Sequence, residues 1–144
     1  MRDLIPVIVN SAARSGDSRA QIAALPGLFE SAGLRIRLID LCRGADSDAE
    51  IDAALAARPS MVVAGGGDGT LSAIAARLVD TGVPLGVLPL GTLNHFAKDL
   101  GIPLAVEAAV QVIAAGHTAD VDVGEVNGRI FINNSGLGLY ADIV

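Results

Sequence analysis

The sequence predicts an α/β fold: a doubly wound, mostly parallel sheet with helices on both faces, followed by a β-hairpin. Three observations carry this expectation. Aliphatic runs bounded by turn residues alternate with Ala-rich segments of helical period. The strand-like runs end in small residues and glycine before a helix begins, which is the βαβ order of a parallel sheet. Then the order breaks: Asn127-Gly128 stands between two short apolar segments, the strongest short signal for a hairpin.

The elements follow in order. Leu4 to Asn10 is a buried strand, and Ser11 to Asp17 a loop of small polar residues. Ser18 to Gly33 reads as a helix with Ile22, Leu25, Phe29 and Ala32 on one face. Pro26-Gly27 predicts a kink in it, or two shorter helices. Leu34 to Leu41 is a second strand. Ser47 can cap a helix to Ala57, with Glu50 completing a capping box. Ser60 to Ala64 is a third strand. Leu71, Ile74, Ala75, Leu78 and Val79 form the core-facing stripe of the next helix. Val83 to Leu88 is a fourth strand. Thr92 to Leu100 and Leu104 to Ala115 are helices, ended by Gly101 and Gly116. Thr118 to Val126 and Arg129 to Asn134 pair as the hairpin. We therefore expect an α/β domain over residues 1–117. Residues 118–144 would be the truncated start of a second, β-rich domain, since a lone hairpin makes no core and the sequence stops within an apolar stretch, Tyr140 to Val144.

Composition narrows the function. Of 144 residues, 51% are hydrophobic and 18% charged, which excludes a disordered chain. The net charge of −6, with no basic stripe, argues against a nucleic-acid partner. An anionic ligand would have to be held locally, by backbone N–H groups, a metal ion or both. Cys42 is the single cysteine, so no internal disulfide forms; it reads as a small buried hydrophobe, and a cytoplasmic location fits. No apolar run is long enough to span a bilayer, so any membrane contact is expected at the surface, on its inner side.

The chemistry concentrates in the loop Gly65-Gly66-Gly67-Asp68-Gly69-Thr70-Leu71, between strand and helix. Glycines admit a ligand close to the backbone, and the helix that follows points free N–H groups at it, which makes an anion site. The Walker Lys-Ser/Thr pair is missing, and Thr70 occupies the last glycine position of the dinucleotide fingerprint. Asp68 would repel phosphate unless a divalent cation, a ligand hydroxyl or N–H groups of the loop offset its charge; each suits phosphoryl transfer with magnesium. The plain structural alternative is a tight turn with Asp68 as helix N-cap. A second strand–glycine–helix turn lies in Leu88 to Pro103, where Gly91, Thr92 and Asn94 would face the same crevice. Thr92 could instead only cap its helix, His95 reads as a surface or packing residue, and Lys98 as solvated or in contact with phosphate. The first strand ends at Asn10-Ser11-Ala12-Ala13-Arg14, where Arg14 could pair with phosphate or simply belong to an ordinary loop.

Together these segments resemble the catalytic domain of the diacylglycerol kinase family, in particular its bacterial lipid-kinase branch. Gly65 to Thr70 is similar to the family's nucleotide loop, Leu88 to Pro103 to its Pro-Leu-Gly-Thr-x-Asn-x-Phe-Ala segment, and Asp120 to Gly138 to the start of its β-rich second domain. The resemblance implies an ATP-dependent kinase that phosphorylates a lipid hydroxyl, with ATP and magnesium as cofactors and diacylglycerol or a related lipid as substrate. It implies ATP contacts at Asn10, Ser11, Ala12, Ala13 and Arg14, at Gly65, Gly66, Gly67, Asp68, Gly69, Thr70 and Leu71, and at Gly91, Thr92 and Asn94. Asp68 would approach magnesium through Mg-ATP. The family's own magnesium site and catalytic carboxylate fall in the second domain, so residues 1–144 alone are expected to be inactive. Where the family has Asn-Pro in the first loop, this chain has Asn10-Ser11; where it has Asp after the motif Asn, this chain has His95; and Asp40 stands near the place of a family threonine. The alternatives are an NAD-kinase-like small-molecule kinase, disfavoured by Gly91 to Phe96, and a non-catalytic nucleotide-binding module. An open hairpin edge could pair two copies as a homodimer.

Overall fold

The central strands β1 and β3 are buried on both faces, and their side chains point alternately to two helical layers. The computed structural model describes residues 3–11, 16–41 and 46–132, without the side chains of 16–18. The expectations for Ala12, Ala13, Arg14, Cys42 and residues 133–144 lie outside these residues. The chain order is β1 (Ile5–Val9), α1 (Gly16–Ser31), β2 (Ile36–Asp40), α2 (Ser47–Ala56), β3 (Val62–Gly66), α3 (Asp68–Leu78), β4 (Leu85–Pro89), α4 (His95–Asp99), α5 (Val106–Ala115), β5 (Gly124–Val126) and β6 (Arg129–Phe131).

The first four strands form a parallel sheet in the order β2-β1-β3-β4. Val7, Val9, Val63 and Leu88 point to one face, against Ile22, Leu25 and Phe29 of α1 and Val106, Ala109, Val110 and Ile113 of α5. Ile8, Val62, Ala64 and Val87 point to the other, against Ile51 of α2, Leu71, Ile74 and Leu78 of α3, and Phe96 and Ala97 of α4. The period of two in the strands thus meets the helical period on both sides, as a doubly wound sheet requires. Pro6 is tolerated in the interior strand β1 because that residue is in register with β2, while pairing to β3 begins only at Val7. The hairpin is antiparallel. Asn127 and Gly128 both take positive φ, 51° and 78°, the left-handed pair that a two-residue turn of this kind needs. Its second strand packs against α3. Among the described residues, no helix is long and apolar enough to cross a membrane.

Several boundaries differ from the sequence reading. α1 runs through Pro26 as one helix; Pro26 and Gly27 are exposed, so water can stand in for the missing hydrogen bond. The cap of α2 is Asp46 rather than Ser47. The Asp46 carboxylate accepts the N–H groups of Asp48 (3.0 Å) and Ala49 (3.4 Å), while the Ser47 hydroxyl turns to the Leu41 carbonyl. With the cap one residue earlier, Glu50 is no longer in capping-box position. β3 extends to Gly66, because Gly65 and Gly66 pair with Leu88 and Pro89 of β4. α4 begins at His95, three residues after Thr92. The hairpin strands are three residues each, shorter than expected.

Candidate functional site

The strand order reverses at β1: β2 lies on one side of it and β3 on the other. In an open parallel sheet the crevice for ligands opens at the carboxyl ends of the strands that flank such a reversal. Here those ends carry Asn10 and Ser11 after β1, Gly67 to Thr70 after β3, and Gly91 to Asn94 after β4. The three segments singled out from the sequence are therefore brought to one edge of the sheet.

The β3–α3 turn is open. Gly67 is the N-cap of α3, in extended backbone (φ −77°, ψ 176°), and no side chain caps the helix. The free N–H groups of the first turn and the positive end of the helix dipole thus remain available to an anion. Gly69 lies in that first turn, exposed, and a Cβ there would meet nothing within 4 Å. Neither packing nor backbone conformation requires glycine at this place. Gly66 does have a packing role, since a Cβ there would press on the Thr70 side chain at 3.1–3.3 Å. Gly65 is enclosed by Leu90, Val9 and Leu88, and the Leu71 side chain is fully buried. These two frame the loop from the core, and any ligand contact of Leu71 would be through its backbone.

The β4–α4 turn is closed upon itself. Asn94 adopts the left-handed conformation (φ 53°) and is buried. Its Oδ1 accepts the Gly91 N–H at 2.8 Å and its Nδ2 donates to the Gly91 carbonyl at 2.9 Å. This cyclic pair fixes the turn, so Asn94 shapes the loop. Thr92 and Leu93 at its tip are exposed. A side chain at Gly91 would overlap the Gly67 Cα and come within 3.0 Å of the Gly67 N, so the two glycine turns touch backbone to backbone.

Asp68 links them. It does not cap its own helix. Its Oδ2 accepts the His95 N–H at 3.2 Å and its Oδ1 accepts the Phe96 N–H at 3.1 Å. The offset to its charge therefore comes from N–H groups, but from those of the neighbouring turn. The first loop is tied down similarly. Ser11 donates its N–H (3.1 Å) and its hydroxyl (2.6 Å) to the two carboxylate oxygens of Asp40 at the end of β2. An acidic residue closing the strand next to β1 was the available sequence signal for this tether. His95 and Lys98 have exposed side chains on α4. A cavity of about 360 Å³ lined by Leu55, Arg58, Pro59, Arg77, Leu78, Thr81 and Val83 lies at the opposite end of β3 and β4, away from the glycine turns.

Comparison with known proteins bears on the family and the fold. The family profile described as "Diacylglycerol kinase catalytic domain" matches residues 5–126, from β1 through β5. A Klebsiella pneumoniae protein named "Probable lipid kinase YegS-like" is 36% identical over 121 residues, covering 82% of this chain and 41% of that protein. A Staphylococcus epidermidis protein named "Diacylglycerol kinase" is 39% identical over 90 residues, 61% of this chain and 28% of that one. A crystal structure of a diacylglycerol kinase from Bacillus anthracis superposes with a TM-score of 0.72 at 23% identity, over 89% of this chain and 49% of that one, which establishes the shared fold. The chain spans less than half the length of these relatives.

Proposed function

Because the chain belongs to the diacylglycerol kinase catalytic domain family, we propose that it is the nucleotide-binding part of an ATP-dependent lipid kinase. The reaction moves the γ-phosphate of ATP to the hydroxyl of diacylglycerol or a related lipid, met at a membrane surface. The observation that carries this reading is the uncapped first turn of α3 with Gly69 exposed and unobstructed. A glycine within a helix is unfavourable by up to about 1 kcal/mol relative to alanine, and nothing among the described residues requires it at this place; a phosphate lying on the backbone there does.

The N–H groups of α3's first turn hold the phosphates, and Thr92, exposed in the β4–α4 turn, lies at the same edge of the sheet. Ser11, held by Asp40, sets the third wall. Magnesium, carried in on ATP, supplies neutralisation of the phosphate charge. The donor set fits this mode of entry: among the described residues no group of three or more His, Cys, Asp or Glu side chains is placed to hold a metal, and both Asp68 oxygens already accept N–H groups. The crevice carboxylates Asp40 and Asp68 are likewise engaged, and the resemblance to the family implies that the base for the lipid hydroxyl comes from its second domain. Residues 118–144 would then be the beginning of that second, β-rich domain.

Calorimetric titration with ATP and ADP, with and without magnesium, tests the reading beside Gly69→Glu. Binding that falls tenfold or more in the variant (about 1.4 kcal/mol) is expected. A folded wild-type chain that binds neither nucleotide sinks it. Residues 1–144 are expected to bind without turnover, and steady lipid-dependent ATP hydrolysis by them would refute that part.

A further inference from the structure

We infer that Asp68 is a positioning residue that caps α4 from another helix and thereby locks the β4–α4 turn onto the phosphate loop. The inference rests on the nucleotide reading above for its functional consequence, but not for its geometry.

α4 cannot cap itself. It has five residues, and its N-cap, Asn94, is left-handed and makes no side-chain cap bond, its amide being committed to Gly91. The N–H groups of His95 and Phe96 would be orphaned without an outside acceptor. Asp68 supplies one oxygen to each. Charge-assisted bonds to backbone N–H groups are among the stronger polar contacts a surface crevice can hold. Beside this link, Gly91 and Gly67 approach so closely that no side chain fits at Gly91. The two turns therefore move as one body, with Thr92 set at a fixed place relative to the first turn of α3.

This also answers why a carboxylate sits in a phosphate loop. Its charge is turned toward the positive end of α4 and is spread over two N–H groups. The phosphate then meets the α3 N–H groups with the repulsion from Asp68 reduced. A residue acting in this way needs its acceptor atoms. A metal ligand or a proton acceptor needs its charge. Asp68→Asn separates the two, because it keeps one acceptor oxygen and loses the charge, whereas Asp68→Ala loses both.

The test is amide hydrogen exchange, followed residue by residue on the wild type, Asp68→Asn and Asp68→Ala without nucleotide, and then Mg-ATP titration of the same three. Mass spectrometry should confirm that the introduced asparagine, which precedes Gly69, has not hydrolysed. Exchange at His95 and Phe96 is expected to be at least about tenfold faster in Asp68→Ala, with Asp68→Asn between it and the wild type, and ATP affinity is expected to follow the same order. If exchange at these two amides is unchanged in both variants while affinity falls equally, Asp68 acts on the ligand by its charge and the inference is overturned. Should Asp68→Ala fail to fold, wild-type exchange in Asp68→Asn at both amides overturns it as well. If the exchange order holds but the wild type binds no nucleotide, the cap stands and the nucleotide reading fails.

Discussion

The β3–α3 and β4–α4 turns look alike in sequence, each a strand, a glycine and a helix, yet they are built for opposite ends. After β3 the helix begins uncapped and Gly69 faces open space. After β4 the turn is held by its own bonds: Asn94 closes on Gly91, and Asp68 takes the first N–H groups of α4. The first turn keeps its backbone donors for something outside the chain, and the second uses its own to hold still. A glycine-containing turn before a helix is therefore not by itself an anion site; what matters is whether the donors of that helix are already satisfied.

Breaking the closed turn should have the largest effect. Gly91→Val drives a branched side chain into the Gly67 backbone, which has no rotamer in which to retreat. We expect a loss of about 3 kcal/mol or more, read as a lower midpoint in urea denaturation, together with loss of ATP binding. A Gly91→Val protein of wild-type stability would show that the two turns do not touch. Asn94→Ala comes next. It removes both bonds to Gly91 and places alanine in a left-handed conformation, for about 2 kcal/mol in all. Because Asp68 still caps α4, ATP affinity should fall less than stability; the reverse order would make the Asn94 amide a ligand contact.

The open turn should respond with the opposite sign. Gly69→Ala adds a methyl to empty space in a helical turn, so stability should rise, by up to about 1 kcal/mol. Nucleotide affinity should drop over the same substitution. Thermal melting with and without Mg-ATP reads both: a higher Tm for the free protein and a smaller ATP-induced increase. If the variant is stabilised and binds ATP as before, no phosphate lies over Gly69.

What could be read in the sequence was whatever depends on neighbours along the chain. The unbroken aliphatic run Val7, Ile8 and Val9 marked a buried strand, the stripe Leu71, Ile74, Ala75 and Leu78 marked a core-facing helix, their alternation along the chain implied helices on both faces of the sheet, and Asn127-Gly128 marked the hairpin. The glycine turns were recognisable because glycine is rare at a strand–helix junction without cause. What escaped depends on residues far apart. β3 includes Gly65 and Gly66, poor strand formers that are held there by pairing with Leu88 and Pro89. The true start of α4 was hidden because its cap lies 27 positions away, in Asp68. Ser47, expected as the cap of α2, yields that place to Asp46 and turns its hydroxyl to the Leu41 carbonyl six positions back. The Ser11–Asp40 tether spans 29 positions, and its sole signal in the sequence was the acid that closes β2.

α3 offers a control within the same helix. Its first turn is tethered to α4 by Asp68, and its last turn to α2 by Arg77, which pairs with Asp48 at 2.6 Å and Asp52 at 2.9 Å. Burial alone would lower the Arg77 pKa; the hydrogen bonds and charges of Asp52 and Asp48 outweigh it and hold the guanidinium above its ordinary value. Both acids are nevertheless largely exposed, at 75% and 66%, where water and salt screen the attraction. Arg77→Ala would also remove the stem that lines the distal cavity, so the acid side is the cleaner test. Asp48→Ala should change stability by no more than about 0.5 kcal/mol, less still in high salt, and leave ATP affinity untouched. If it instead costs as much as Asp68→Ala, the strength of a tether on α3 does not come from backbone N–H groups that lack any other partner, and the contrast between the two turns loses its physical basis.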